Sequence, residues 1–114
     1  MRIEIVKCDL GVTQSETKIN LGHRGETGRT LIKFDLSDFV NEYGAVNTAM
    51  LWIRKPNESE ATPNELPINA GVVEWYVSAA DTENSGGGEC QIEYRNGTVT
   101  AKSAIYLTRI EPAL

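Results

Sequence analysis

Apolar and polar residues alternate along most of the chain, and no stretch keeps the 3.6-residue period of a helix. Alternation with a period of two is typical of strands that bury one face. Turn-forming Gly, Pro, Asn and Ser residues separate the alternating segments at intervals of about ten residues. We therefore predict strands over residues 2–8, 17–22, 29–36, 49–54, 65–69, 71–77, 88–95 and 99–110.

The alternation also predicts which face of each strand is buried. In the first segment, Ile3 and Ile5 form the apolar face, and charged residues form the other. Segment 49–54 is apolar on both faces, which is typical of a covered central strand, and we expect Trp52 to anchor the core. The alternation in 88–95 points Cys90, Ile92 and Tyr94 inward, and that in 29–36 and 71–77 does the same for their apolar residues.

Turn and cap residues divide the chain between these strands. Asn96-Gly97 predicts a tight hairpin, and the polar interruption at Ser103 predicts a bend or bulge in the last run. Residues 36–44 predict a short helix that lids the core, with Ser37 as its N-cap and Gly44 as its stop. A single helical turn capped by Ser78 is predicted in 78–86, before glycines 86–88 turn the chain.

Seven or eight short strands with one or two helical turns predict an all-β fold, an antiparallel β-sandwich that forms one domain over residues 1–114. A small barrel is the competing architecture. The first residues alternate like a strand and carry a charge at Glu4, so we expect them to belong to the fold rather than to a signal peptide. Without a signal peptide, Cys8 and Cys90 are expected to be reduced and buried.

Composition and charge narrow the classes of partner. The net charge of −5 argues against a nucleic-acid partner, whose phosphates require clustered Lys and Arg, and against a polybasic membrane contact. No apolar run approaches the ~20 residues of a membrane-spanning helix.

No pattern predicts an enzyme, a cofactor or a metal site. The single histidine, His23, lies between glycines with no nucleophile marked nearby, and one His with two distant Cys does not make a zinc site. The acidic residues lie in loops or at outward strand positions, and no calcium loop is present. The segments "GHRGETG" and "SGGGE" do not fit a phosphate-binding loop. We therefore expect a non-enzymatic protein without catalytic residues.

An ordered set of motifs carries a resemblance to a known family. The set comprises "LGHRGETG", "IKFDLSDF", "RKP" after the tryptophan strand, and "WYVSAADTENSGGGE", and it runs from about Ile3 to the C-terminus. Together these motifs resemble the small tail or baseplate proteins of phages and prophages of Gram-positive gut bacteria. The resemblance implies an immunoglobulin-like β-sandwich similar to the N-terminal domain of baseplate upper proteins. Because the chain stops at Leu114 without a coiled-coil stalk, we expect a stand-alone member or a domain of a longer protein.

The resemblance also implies the function and the partners. It implies a structural component of the virion tail that is assembled in the host cytoplasm, that contacts other tail or baseplate subunits and that forms a homo-oligomer. Loops on a rigid scaffold commonly carry recognition, so loops 21–29 and 55–64 are the candidates for docking. The expected assembly contacts are His23, Arg24, Glu26, Arg29, Lys55 and Asn57. The alternative is a carbohydrate-binding module that presents Tyr76 and Tyr106 on one face of a sheet.

Overall fold

The structure is a computed structural model that describes residues 1–114, and it contains nine strands and one short helix. The all-β prediction is confirmed, and the predicted last run is two strands because the chain breaks at Ser103. In chain order, the elements are β1 (Arg2–Lys7), β2 (Gln14–His23), β3 (Thr30–Asp35), α1 (Ser37–Tyr43), β4 (Thr48–Arg54), β5 (Thr62–Asn69), β6 (Val72–Tyr76), β7 (Gly86–Asn96), β8 (Val99–Lys102) and β9 (Ile105–Glu111). No helix has the length and apolar character needed to cross a bilayer.

The strands form one sheet that curls into a half-barrel, in the order β1-β3-β6-β5-β4-β7-β9-β2, with β8 paired to β7. Strand β5 connects the two layers because most of it pairs with β4, while Ile68 and Asn69 pair with β6. This arrangement is compatible with the predicted sandwich. The pairs β1–β3 and β2–β9 are parallel, whereas the other pairs are antiparallel. Strand β2 follows β1 along the chain and lies in the other layer, where it returns the chain to the end at which β1 began. Strand β3 therefore runs in the same direction as β1.

Twenty buried apolar side chains form one core between the layers. The inward orientation of Cys90, Ile92 and Tyr94 is confirmed, as are the buried faces predicted for β3 and β6. Cys8 and Cys90 are free and buried, as predicted, and burial raises the pKa of the Cys8 thiol to about 11.

Helix α1 covers the core at the end opposite the β2–β3 connection. Phe39 is fully buried, and its ring centroid lies 5.8 Å from that of Tyr94. The residue flanking the helix N-terminus is Leu36 rather than Ser37, and the Ser37 N–H donates to Asp35 Oδ1 at 2.9 Å. The helix ends at Gly44, which has φ 89°, as predicted.

The orientations predicted for the apolar residues of β1 and for Trp52 of β4 were wrong. On β1, Ile3 and Ile5 are 54% and 71% exposed, while Val6 is buried because its register places it beside inward-facing Phe34 of β3. On β4, the residues flanking Trp52 face the core, so the tryptophan lies half-buried on the outer face of the sheet.

The glycine-rich segment begins β7 and admits a close backbone approach. A Cβ atom on Gly88 would lie 2.5 Å from the carbonyl oxygen of Arg54 and 2.8 Å from Oγ1 of Thr108. A Cβ atom on Gly87 would meet nothing nearer than 3.9 Å. The absence of a side chain at Gly88 therefore allows β7 to pack closely between Arg54 of β4 and Thr108 of β9.

Hairpin β7–β8 forms where Asn96-Gly97 predicted it. Asn96 is the last residue of β7 and pairs with Val99, so the turn is centred one residue later than expected. Gly97 has φ 60°, the left-handed conformation for which glycine is suited. At the predicted break, buried Ser103 accepts a hydrogen bond on its Oγ from the Ile92 N–H at 2.9 Å.

Candidate functional site

Three loops meet at the end of the fold opposite α1, and we call this surface the loop end. They are residues 24–29 between β2 and β3, 55–61 between β4 and β5, and 77–85 between β6 and β7. The Gly25 N–H donates to the Thr82 carbonyl at 3.0 Å, and the Thr82 hydroxyl donates to the Glu26 carbonyl at 3.1 Å. Lys55 Nζ lies 3.1 Å from Glu83 Oε1. The structure thus brings both predicted docking loops to one end, with loop 77–85 between them. The loops are shorter than predicted, because residues 21–23 belong to β2 and residues 62–64 to β5.

Loop 77–85 is held by a reciprocal cap. The carboxylate of Asp81 accepts from the Ser78 N–H at 2.8 Å, and the Asp81 N–H donates back to Ser78 Oγ at 3.3 Å. The indole N–H of Trp75 donates to the same carboxylate at 3.1 Å. The Thr82 N–H donates to the Ser78 carbonyl at 3.2 Å, so the predicted single turn capped by Ser78 is confirmed. The motif "WYVSAADT" is thereby explained as a structural brace that shapes the loop.

Loop 24–29 is braced by Glu26. Its Oε1 accepts from the His23 N–H at 2.6 Å and lies 3.3 Å from His23 Nδ1. The hydrogen bond from the His23 backbone is the main cause of a lowered Glu26 pKa, and the His23 side chain contributes further. Gly22 has φ 96°, and a Cβ atom there would lie 2.7 Å from this carboxylate oxygen. Glu26 therefore shapes the loop from within.

Three other predicted contact residues, Arg24, Arg29 and Asn57, are exposed on these loops. Arg24 and Arg29 are exposed on the short loop between β2 and β3, and the Arg24 N–H is tied to the Glu111 carbonyl at 2.8 Å. Asn57 is exposed and has φ 69°, so it lies at a tight bend of loop 55–61. The arrangement presents two guanidinium groups from a backbone that is fixed at several points, which suits recognition of an acidic surface.

A cleft of about 450 Å³ adjoins the loop end, where β5 diverges from β6. Leu51, Ile53 and Leu66 contribute apolar lining. Tyr76, which is 59% exposed, and Lys55 are also among the lining residues. The cleft therefore places one exposed aromatic ring beside apolar and charged groups. The sequence does not predict this cleft, because the divergence of β5 from β6 depends on how the two strands pair.

Tyr106 does not join Tyr76, so the prediction that it points outward was wrong. It is buried in the core, 6.2 Å from the ring of Phe34, and burial is the main cause of its raised pKa. Antiparallel pairing places Tyr106 beside Cys90 on β7, and paired residues share one face of a sheet. Because Cys90 faces inward, Tyr106 must do so too.

The groups at the loop end suit binding. His23 is exposed, and its ring contacts the carboxylate of Glu26. No three His, Cys, Asp or Glu side chains in the molecule converge in a way that could hold a metal ion. The surface instead offers exposed cations, an amide and backbone groups on a rigid frame.

The fold is an all-β half-barrel with one short helix. Comparison with known proteins finds a solved structure of similar fold. No protein-family model matches the chain, and no curated protein matches it. The N-terminal domain of phage TP901-1 ORF48, a baseplate protein, is similar in structure with a TM-score of 0.64. The match covers 97% of this chain and 99% of that domain, at 9% sequence identity. The resemblance to baseplate domains is thus confirmed at the level of the fold.

Proposed function

We propose that the protein is a non-enzymatic structural component of a phage or prophage tail or baseplate. The observation that carries this proposal is the structural match to the phage TP901-1 ORF48 domain, which covers nearly the whole of both chains. The ordered motifs of the sequence independently resemble tail and baseplate proteins. The partners are other tail or baseplate subunits, including copies of this chain, and the location is the virion tail after assembly in the host cytoplasm.

The loop end is the proposed docking surface. Groups that are already in place favour recognition, because a surface that must be ordered on binding loses affinity. The hydrogen bonds of Thr82 and Glu26 hold loop 24–29 before any partner arrives. Arg24 and Arg29 then provide exposed charges whose natural counterpart is an acidic patch on a neighbouring subunit.

Particle composition tests the function. Phage or induced prophage particles are purified, and this chain is sought by peptide mass spectrometry and located with an antibody by electron microscopy. We expect a fixed stoichiometry relative to other tail proteins, and label at the tail tip. A chain that stays in the soluble lysate and is missing from particles would contradict the proposal.

Charge reversal tests the docking surface separately. We expect the double variant Arg24→Glu/Arg29→Glu to be incorporated into particles at least tenfold less efficiently, since close charge pairs contribute about 1.5 kcal/mol or more. The matched control is Lys18→Glu/Arg109→Glu, which makes the same change of charge on exposed positions of β2 and β9. Equal incorporation of both variants would remove the loop end as a docking surface while leaving the tail role intact.

A carbohydrate-binding role is the alternative, and the exposed ring of Tyr76 at the cleft supports it. An aromatic face beside polar groups can stack on a sugar ring. The test is a glycan array with a Tyr76→Ala control. Saturable binding that the variant loses would favour this role, and no binding to any wall glycan would dismiss it.

A further inference from the structure

Strand β1 carries an exposed apolar stripe at one edge of the sheet. Ile3 and Ile5 project outward, although charged or proline residues normally protect such an edge. On the same face of the sheet, Ile3 pairs with Leu31, and Leu31 pairs with Tyr76. Leu31 is almost fully buried, yet it lies outside the main core cluster.

The backbone of β1 is also free on this side, since β1 is the first strand in the sheet order and pairs only with β3. The Arg2 N–H donates to the carbonyl of Arg29, just before β3, at 2.8 Å, and the Cys8 N–H donates to the carbonyl of Asp35, the last residue of β3, at 3.0 Å. Backbone direction alternates along a strand, so the N–H and C=O groups of Ile3 and Ile5 point to the free edge. The edge therefore combines unpaired hydrogen-bonding groups with exposed apolar side chains.

We propose that the β1 edge pairs with the β1 edge of a second copy of this chain, antiparallel and with Ile3 on the two-fold axis. This register places Arg2 opposite Glu4 of the second copy, and Met1 opposite Ile5. Each charged residue thus lies opposite a residue of opposite charge, and each of the three apolar residues lies opposite an apolar residue. Because a two-fold axis relates the copies, each favourable pair occurs twice.

Other registers match less well. Centring the pair on Glu4 would place two carboxylates opposite one another, and centring it on Ile5 would place Ile3 against Lys7. Centring on Ile3 also agrees with the direction of its backbone groups, which can exchange both hydrogen bonds with the second copy. Within one chain, Arg2 Nη1 already lies 3.1 Å from Glu4 Oε2, and its Nη2 donates to the Asn20 carbonyl. Arg2 is exposed and Glu4 half-buried, so pairing across the axis exchanges the Glu4 partner of Arg2 for Glu4 of the second copy.

The contact area is small, because only residues 1–5 of each chain pair directly. Interfaces below about 1,200 Å² of total buried area are typically weak or transient. We therefore expect a dimer that forms at high protein concentration and that becomes populated in an assembly where copies are held close together. The side chains that form this dimer are not part of the loop end. The proposed dimer therefore stands even if the loop end binds no partner.

Sedimentation velocity over a roughly hundredfold range of concentration tests the dimer. We expect a reversible shift from monomer to dimer, weakened at least about tenfold by Ile5→Lys, which reduces the stripe to Ile3 and places a charge opposite the apolar side chain of Met1. The matched control is Leu107→Lys, at an exposed apolar position of β9 on the other side of the sheet order, which should leave the equilibrium unchanged. Circular dichroism verifies that each variant is folded.

Charge swaps test the register. Arg2→Glu and Glu4→Arg should each weaken the dimer, because each places like charges opposite one another. Combining both changes in one chain, or mixing the two single variants, should restore it. A protein that remains monomeric at the highest concentration, a dimer that Ile5→Lys leaves intact, or swaps that fail to restore dimerisation would each overturn the proposal.

Discussion

Asp81 is the residue whose removal should most directly loosen the loop end. Its Oδ2 atom accepts hydrogen bonds from the Trp75 indole at 3.1 Å, the Ser78 N–H at 2.8 Å and the Ser78 hydroxyl at 2.9 Å. Trp75 is buried, so its indole N–H has little access to water once the carboxylate is gone. The change to test is Asp81→Ala.

The expected cost follows from the donors left without a partner. A buried donor that loses its partner costs about 1–3 kcal/mol, and the site is partly exposed, so water can recover some of this loss. The Ser78 hydroxyl can rotate towards another acceptor, so the Trp75 indole and the Ser78 N–H carry the cost. At the lower part of the range, these two donors predict a loss of about 2–3 kcal/mol in the free energy of unfolding. At roughly 4 °C per kcal/mol for a chain of this size, Tm should fall by about 8–12 °C.

Urea unfolding followed by tryptophan fluorescence measures this loss. Trp75→Phe removes the indole donor, so Asp81→Ala should cost about 1 kcal/mol less in that background, and the double-mutant cycle should show this coupling. The control Glu83→Ala breaks the exposed pair with Lys55, and it should cost less than about 1 kcal/mol. If Asp81→Ala costs no more than the control, or if the two changes are additive, the carboxylate does not hold the loop.

Three further outcomes follow from local geometry. Gly88→Ala should destabilise the fold by about 2–4 kcal/mol in urea unfolding, whereas Gly87→Ala should cost less than about 1 kcal/mol; equal costs would contradict the close packing inferred at position 88. Because the folded Glu26 pKa is lowered, its bond to the His23 N–H should persist above its unfolded pKa and be lost as pH falls through the folded value. NMR titration of that amide checks the bond, and Glu26→Gln should abolish the transition. The raised Cys8 pKa of about 11 predicts slow reaction with a thiol reagent at neutral pH and rapid reaction in denaturant.

Some of the loop end could be predicted from local sequence. Ser78 was predicted as a cap, and the structure shows the reciprocal bonds with Asp81 that such a cap forms. The hydrogen bonds that join Thr82 to Gly25 and Glu26 span more than fifty positions in the chain, and no local pattern indicates them. They arise because β3 and β6 are neighbours, which brings the start of one strand beside the end of the other.

The sequence by itself determined where most strands lie and which faces of β3, β6 and β7 are buried, because side chains alternate with a period of two along any strand. Only the tertiary structure decided the orientation of Ile3 and Tyr106, the parallel pairs and the meeting of the three loops. At these positions both faces of a strand carry apolar residues or the strand lies at an edge. The neighbouring strand then selects the face, and that neighbour is distant in sequence.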